Sequence, residues 1–215
     1  MNKIMHTTEY ENIYFDFENV KHPEIKFYAD DSHPYVRELE NLNRSLAKSS
    51  GNQTFDRGYP VEAHQRREVL ERLGQLYVGL QRYAEAVAIY ERLLEHVDRP
   101  YTRFRLAVAV GLDGNYKRAI QLLESVRAER PDAVVVYSKL GWAYALDGND
   151  RLALSFYNQA LALDSFDLFS LFELGKYYYM TGDRRRAREF FQRVLDADKQ
   201  GNYADRVREL TGPAV

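Results

Sequence analysis

The stretch that decides the fold is YSKLGWAYALDGNDRLALSFYNQALALD, residues 137–164. Apolar residues recur at helical spacing on both sides of the DGN at 147–149, which predicts two amphipathic helices joined by a turn. Gly141 lies in the first helix, and Ala153 and Ala160 lie in the second. These small residues indicate that the two helices pack back to back at short range, with large apolar side chains burying the flanks of the contact.

The same arrangement recurs along the chain at intervals of 33 or 34 residues. The alanine near the start of the second helix is found as Ala86, Ala119, Ala153 and Ala187. A small residue lies twelve positions before each of these alanines and directly after a leucine. These small residues are Gly74, Ala107, Gly141 and Gly175. The turn between the helices carries Gln81, Gly114, Gly148 and Gly182. Self-similarity at this period is the signature of a repeat architecture.

This pattern resembles the tetratricopeptide repeat, a helix–turn–helix unit of 34 residues. The resemblance covers residues 67–201 in four copies. It implies an all-α fold, a right-handed α-solenoid in which each helix pair needs its neighbours to bury a continuous core. The segment YADRVREL, which follows Gly201, has one apolar face and one charged face and predicts a C-terminal capping helix.

The chain divides in sequence into two predicted domains, residues 1–60 and residues 61–211. The first contains an arm, an amphipathic helix at about 35–48 and a linker at 49–60, SSGNQTFDRGYP, whose composition is that of a flexible loop. The arm alternates acidic and aromatic residues, as in TEYENIYFDFENV. Tyr14, Phe15 and Phe17 make it too apolar for a free tail, so we expect residues 9–30 to pack on the repeats of the same chain or of a dimer partner.

Composition excludes several classes of protein. The chain has 215 residues, of which 45% are hydrophobic and 29% charged, as in ordinary globular domains. A net charge of −2 and an isoelectric point of about 6.2 argue against a nucleic-acid partner. The sequence shows neither a signal peptide nor an apolar run long enough for membrane insertion, so we expect a cytoplasmic protein.

No pattern in the sequence predicts chemistry. Cysteine is absent, and the five histidines never fall at metal-ligand spacing. Phosphate-binding and nucleophile-elbow patterns are missing as well. We therefore expect no catalytic residue, no metal and no cofactor, and an enzyme is the least favoured interpretation.

The resemblance implies that the first helix of each repeat lines a concave, partner-binding groove. Carried over by repeat position, the predicted groove residues are Tyr101, Phe104, Val108, Val135, Ser138, Trp142, Phe169, Phe172, Lys176 and Tyr179, with Leu146 and Met180 at the helix ends. Lys176 is the one basic residue among them. This disfavours a groove that clamps the carboxylate of an acidic tail and favours one whose ligand is an apolar peptide or helix. Aromatic residues at helical spacing are also typical of a core, and that alternative stays open.

The sequence therefore predicts a non-catalytic interaction module, an adaptor, scaffold or chaperone that binds an apolar segment of a partner protein. The alternative is a structural component of a larger complex that contacts its partner through Tyr14, Phe15 and Phe17. A homodimer is compatible with both.

Overall fold

The computed structural model describes residues 41, 42, 44, 61–199 and 201–212. Asn41, Leu42 and Arg44 are helical, and they lie in the stretch for which the sequence predicts a helix over residues 35–48. The other residues of that helix lie outside the described part of the chain. So do the arm, with Tyr14, Phe15 and Phe17, and the predicted linker at 49–60.

From residue 61 onwards, every regular element among the described residues is an α-helix. Short turns of three or four residues separate them, which confirms the predicted succession of helix pairs and the terminal helix. The helices are α1 (Val61–Gly79), α2 (Tyr83–His96), α3 (Pro100–Leu112), α4 (Tyr116–Glu129), α5 (Val134–Leu146), α6 (Asp150–Leu163), α7 (Leu168–Met180), α8 (Arg184–Ala197) and α9 (Asn202–Thr211).

The chain forms two compact units, and among the described residues their boundary falls within α4, between Leu122 and Leu123. In the first unit α1 packs on α2 and α2 on α3. In the second unit each helix from α5 to α9 packs on the next, and α7 also contacts α5 and α9. Neighbouring helix pairs thus bury one another's apolar faces, as stacked repeats do.

The core of the first unit is built from apolar residues of α1, α2 and α3, together with Ala119 of α4. Its members are Leu70, Leu73, Leu76, Val78, Ala86, Tyr90, Leu93, Leu106, Ala109, Val110 and Ala119. Leu42 is partly buried and packs against this cluster. The first unit therefore includes a residue that precedes the repeats by almost twenty positions.

In copies one, three and four, the glycine of the first helix lies against an aromatic ring of the second helix, whereas copy two has Ala107 at this position. A Cβ atom placed on Gly141 would lie 2.6 Å from the ring of Tyr157, and one on Gly175 would lie 2.5 Å from the ring of Phe191. The expectation that small residues face one another across the helix pair is thus corrected at Gly141. Its surface is covered by a large ring from the second helix, because the missing side chain leaves a notch that the ring fills.

The three turns with glycine and the turn with glutamine share one backbone geometry. Gly114, Gly148 and Gly182 have positive φ angles of 94°, 79° and 87°, and Gln81 has a φ of 58°. Glycine adopts this left-handed region without steric conflict, whereas the Cβ of Gln81 meets its own backbone there. The first copy therefore makes the same turn at a conformational cost.

Replacing Gln81 with glycine is expected to raise the free energy of unfolding by about 1 kcal/mol, since it removes that conflict. The reverse exchange, Gly148→Gln, is the matched control and should lower it by a similar amount. Urea denaturation followed by circular dichroism measures both. If both changes lower the free energy of unfolding by the same amount, the side chain of Gln81 stabilises the fold by more than its backbone strain destabilises it.

Two features are absent from the described residues. No helix among them is long and apolar enough to cross a membrane. No group of three or more histidine, aspartate or glutamate side chains in that part of the chain is arranged to hold a metal ion.

Candidate functional site

The first helices of copies three and four, α5 and α7, are joined at their N-terminal ends by a buried polar cluster. Ser138 donates its hydroxyl to Oδ2 of Asp167 at 2.8 Å, and the same oxygen accepts the backbone N–H of Ser170 at 3.0 Å. Asp167 is 5% exposed and caps the N-terminus of α7. Ser138, a predicted groove residue, thus holds two helices together, and with 0% exposure it offers no surface to a partner.

The ring of Phe169, a residue of α7, packs against side chains of α5 and α6. The Nζ atom of Lys139 is 3.7 Å from the centroid of its ring, and the ring of Tyr157 is 6.2 Å away between centroids. Lys139 is itself buried, at 8% exposure, so its ammonium group is stabilised by the face of the aromatic ring. The ring of Phe169 therefore belongs to the packing between repeats.

Phe172 lies in the junction of α7, α8 and α9. Its ring centroid is 6.2 Å from that of Phe191 and 5.8 Å from that of Tyr203. The guanidinium of Arg206 lies 4.1 Å from the Phe172 centroid. Since Tyr203 and Arg206 belong to the terminal helix, Phe172 fastens that helix to the last repeat.

The structure places six of the ten predicted groove residues out of reach of a partner. Their exposures are 0% for Phe104, 1% for Val108, 6% for Val135, 0% for Ser138, 7% for Phe169 and 4% for Phe172. For the three whose contacts are described above, repeat position was a poor guide because groups of other helices cover them: α7 covers Ser138, α5 and α6 cover Phe169, and α8 and α9 cover Phe172. The four that retain exposed surface are Tyr101, Trp142, Lys176 and Tyr179.

Tyr101 is the one partly exposed member of this set in the first unit. Its hydroxyl accepts hydrogen bonds from Nε and Nη2 of Arg105, at 3.2 and 3.1 Å, and the guanidinium lies 5.3 Å from its ring centroid. The tyrosine thus fixes a neighbouring arginine one helical turn away.

Five large apolar side chains are exposed among the described residues of the second unit. Leu146 and Met180 lie at the C-terminal ends of α5 and α7, and the other three, Leu152, Leu163 and Phe166, lie on α6 and in the turn that follows it. Trp142 and Tyr179 are partly exposed, Leu146 is 43% exposed and Met180 is 75% exposed. Leu146 and Met180 occupy the same position in successive repeats, and α5 contacts α7 directly. We call Trp142, Leu146, Tyr179 and Met180 the α5–α7 end surface.

Positive charge borders this surface. The carboxylate of Glu173 forms an ion pair with Lys176 and lies 3.8 Å from a guanidinium nitrogen of Arg206. The guanidinium of Arg184 lies 3.9 Å from the ring centroid of Tyr179. One carboxylate thus faces two cations, and a third cation stacks on an aromatic member of the surface, so cations outnumber carboxylates in these contacts of α7. At the α5 end, the exposed Asp147 directly follows Leu146.

The positions of Arg184 and Arg206 beside the predicted groove residues do not follow from the repeat pattern. Arg184 opens the second helix of copy four, and Arg206 lies in the terminal helix, outside the repeats. The signal in the sequence was the amphipathic pattern of the terminal segment, which predicts that it packs on the last repeat but leaves its register open.

Family models for the tetratricopeptide repeat match residues 71–134, 104–167 and 169–200. Together these matches span more than half of the chain. The chain belongs to the tetratricopeptide repeat family. The predicted all-α repeat solenoid is thereby confirmed, and membership of this family supports a protein-interaction module.

Solved structures with tetratricopeptide folds resemble this chain at low sequence identity. The repeats of a putative kinesin light chain from Podosopora anserina are 20% identical, with a TM-score of 0.61, and the match covers 86% of this chain and 96% of that one. MamA from Desulfovibrio magneticus RS-1 is 21% identical with a TM-score of 0.55, over 79% of this chain and 98% of that one. YrrB, described as a tetratricopeptide protein with an unusual peptide-binding site, is 18% identical with a TM-score of 0.56, over 87% and 96%.

A search of curated proteins finds no significant match to this tetratricopeptide sequence. The structural likenesses lie at identities that show the shared fold alone.

Proposed function

We propose that this chain is a cytoplasmic, non-catalytic adaptor or chaperone that binds an apolar segment of a partner protein on the α5–α7 end surface. The observation that supports the proposal is the exposure of two large apolar side chains, Leu146 and Met180, at one position of adjacent repeats. They are flanked by the partly exposed rings of Trp142 and Tyr179. Apolar and aromatic side chains grouped in this way are typical anchors of a protein interface.

The charge at the rim limits the partner further. Lys176 and Arg206 face one carboxylate, Glu173, and Arg184 stacks on Tyr179, so an incoming segment with acidic residues beside its apolar anchors is favoured at the α7 end of the surface. A basic segment would meet like charges and would be excluded. The proposed partner segment is therefore apolar and acidic, and a peptide-binding site in YrrB, a protein of the same fold, is consistent with such a role.

The experiment is affinity capture with the full chain, followed by quantitative mass spectrometry of the proteins retained. The test variant is Leu146→Glu with Met180→Glu, which places two carboxylates on exposed positions where the fold tolerates them. We expect the amount of partner protein retained to fall at least about tenfold, because apolar anchors carry most of the binding free energy of an interface.

The control variant is Phe166→Glu, which alters a side chain of similar exposure, 70%, in the turn between α6 and α7. It should leave capture unchanged, and circular dichroism should show full helicity for every variant. Equal capture by the double variant and by the unaltered chain would refute the proposal. Loss of the partner only when Tyr14, Phe15 and Phe17 are changed to serine would favour the alternative in which the arm makes the contact.

A further inference from the structure

Helix α8 begins with a group of exposed arginines, namely Arg184, Arg185, Arg186 and Arg188. Two of the four lie beside carboxylates. Arg185 forms an ion pair with Glu189 at 3.0 Å, and a guanidinium nitrogen of Arg186 lies 3.4 Å from a carboxylate oxygen of Asp183. Neither Arg184 nor Arg188 forms an ion pair with a carboxylate of the described residues, so their charges are not neutralised within this part of the chain.

The guanidinium of Arg184 is held by the ring of Tyr179, whose centroid is 3.9 Å away. Tyr179 in turn packs on Phe191, a core residue with 1% exposure, at 6.2 Å between ring centroids. A guanidinium donates its hydrogen bonds in its own plane, so stacking one of its faces on a ring leaves the N–H groups at its edge open to an acceptor. Arg184 is therefore oriented before any ligand binds, which lowers the entropy that binding costs.

Arg188 lies one helical turn after Arg184, on the same side of α8. Positions four apart in a helix differ by about 40° around the axis, and their Cβ atoms are about 6 Å apart. Arg185 points elsewhere, since it is rotated by about 100° from Arg184. The two arginines without a carboxylate can thus donate to different oxygens of one anion.

The charge of this pair selects among anions. Together Arg184 and Arg188 carry two positive charges, and a phosphate monoester carries close to two negative charges at neutral pH, with three strong acceptor oxygens. A carboxylate or a phosphodiester carries one charge and would leave one guanidinium without a counter-charge. The pair therefore fits a phosphate monoester best.

The surroundings of the pair favour a phosphorylated protein side chain over the headgroup of a phospholipid. The outer face of α8 also carries Glu189 and Asp196, both exposed, and an anionic bilayer would repel them. Met180, which is 75% exposed, directly follows Tyr179 and can contact the residues on either side of a phosphorylated one. A short segment of protein meets the two arginines without meeting the carboxylates.

We propose that Arg184 and Arg188 bind the phosphate of a phosphorylated side chain in a partner protein. The inference rests on the proposed function, because it adds a phosphorylated residue to the segment that the α5–α7 end surface binds. Tyr179 connects the two, since its ring belongs to that surface and also orients Arg184.

Blocked amino acids test this site on the full chain without knowledge of the partner. The probes are N-acetyl-O-phosphotyrosine amide and N-acetyl-O-phosphoserine amide, and the backbone amide signals of Tyr179, Arg184 and Arg188 are followed by NMR during titration. We expect saturable shifts with both probes and none with the unphosphorylated compounds. The sulfate ester of tyrosine, which has the same shape and one charge fewer, should bind about fivefold more weakly.

The test variant is Arg184→Gln with Arg188→Gln. It should weaken binding of the probes about tenfold, since each exposed ion pair contributes up to about a factor of five. The matched control is Arg185→Gln, which removes an exposed arginine of the same helix that is already paired with Glu189, and it should leave binding unchanged. An absence of saturable shifts would overturn the proposal, as would equal weakening by the control variant.

Two further outcomes separate this inference from its alternatives. Retention of the chain on vesicles of phosphatidic acid and phosphatidylcholine that requires Arg184 and Arg188, without binding of the phosphorylated amino acids, would identify a lipid headgroup and overturn the proposal. Capture of a partner that requires Leu146 and Met180 but is unchanged by phosphatase treatment and by loss of the two arginines would leave the proposed function intact and overturn this inference alone.

Discussion

Replacing Gly141 with alanine is expected to lower the free energy of unfolding by about 2 kcal/mol. The new Cβ would lie 2.6 Å from two atoms of the Tyr157 ring, a distance that the packing cannot keep. Tyr157 is 3% exposed and its ring is held between helices, so a shift of the ring disturbs its neighbours. Overpacking of this kind costs up to about 3 kcal/mol, and the higher helix propensity of alanine returns about 1 kcal/mol.

A second change is expected to reverse most of this loss. Copy two carries Ala107 where copy three has Gly141, and Leu123 where copy three has Tyr157. The double variant Gly141→Ala with Tyr157→Leu reproduces that pair and should be more stable than the sum of the two single effects predicts. It also removes the hydroxyl of Tyr157, which is buried without a hydrogen-bond partner.

Urea denaturation of the two single variants and the double variant gives the coupling free energy. We expect a favourable coupling of about 1 kcal/mol or more, because the two residues are in direct contact. Additive effects would contradict the close fit between the glycine notch and the ring.

Replacing Asp167 with alanine is expected to lower the free energy of unfolding by about 3 kcal/mol. The change removes the N-terminal cap of α7 and leaves the hydroxyl of Ser138 without its carboxylate acceptor in a site that is 0% exposed. A buried polar group that loses a charged partner is destabilised more than the average hydrogen bond would suggest.

The matched control is Asp183→Ala. Asp183 caps α8 in the same way, accepting the backbone N–H of Arg186 at 3.0 Å, but it is more exposed. Water can replace its interaction, so we expect a loss of about 1 kcal/mol. Thermal and urea denaturation measure both variants, and equal losses would show that the Ser138 contact adds nothing to the cap.

Much of the fold could be predicted from the sequence, because each repeat repeats the same local signals. Alanine, glycine and leucine at fixed intervals set the helix pairs, and glycine in the turns sets their ends. The role of Gly141 was harder to predict. Its spacing indicates close packing between helices flanked by large side chains, but only the structure shows that the ring of Tyr157 lies directly against Gly141.

The candidate site was predicted less well, for a physical reason. Repeat position predicts which way a side chain leaves its helix, but it does not predict what comes to cover it. Phe172 lies beneath Tyr203 and Arg206, which belong to a helix outside the repeats. Val108 is covered although its counterpart Trp142 is partly exposed, and no local pattern distinguishes the two.

The most direct test of the account is photo-crosslinking from single positions of the full chain. A photoreactive amino acid is placed at Met180, at Leu146 or, as the control, at Phe166, and the chain is irradiated in the presence of the captured partner. We predict crosslinks to the partner from positions 146 and 180 and none from position 166. Crosslinks from position 166 without any from 146 or 180 would contradict the assignment of the α5–α7 end surface as the binding surface.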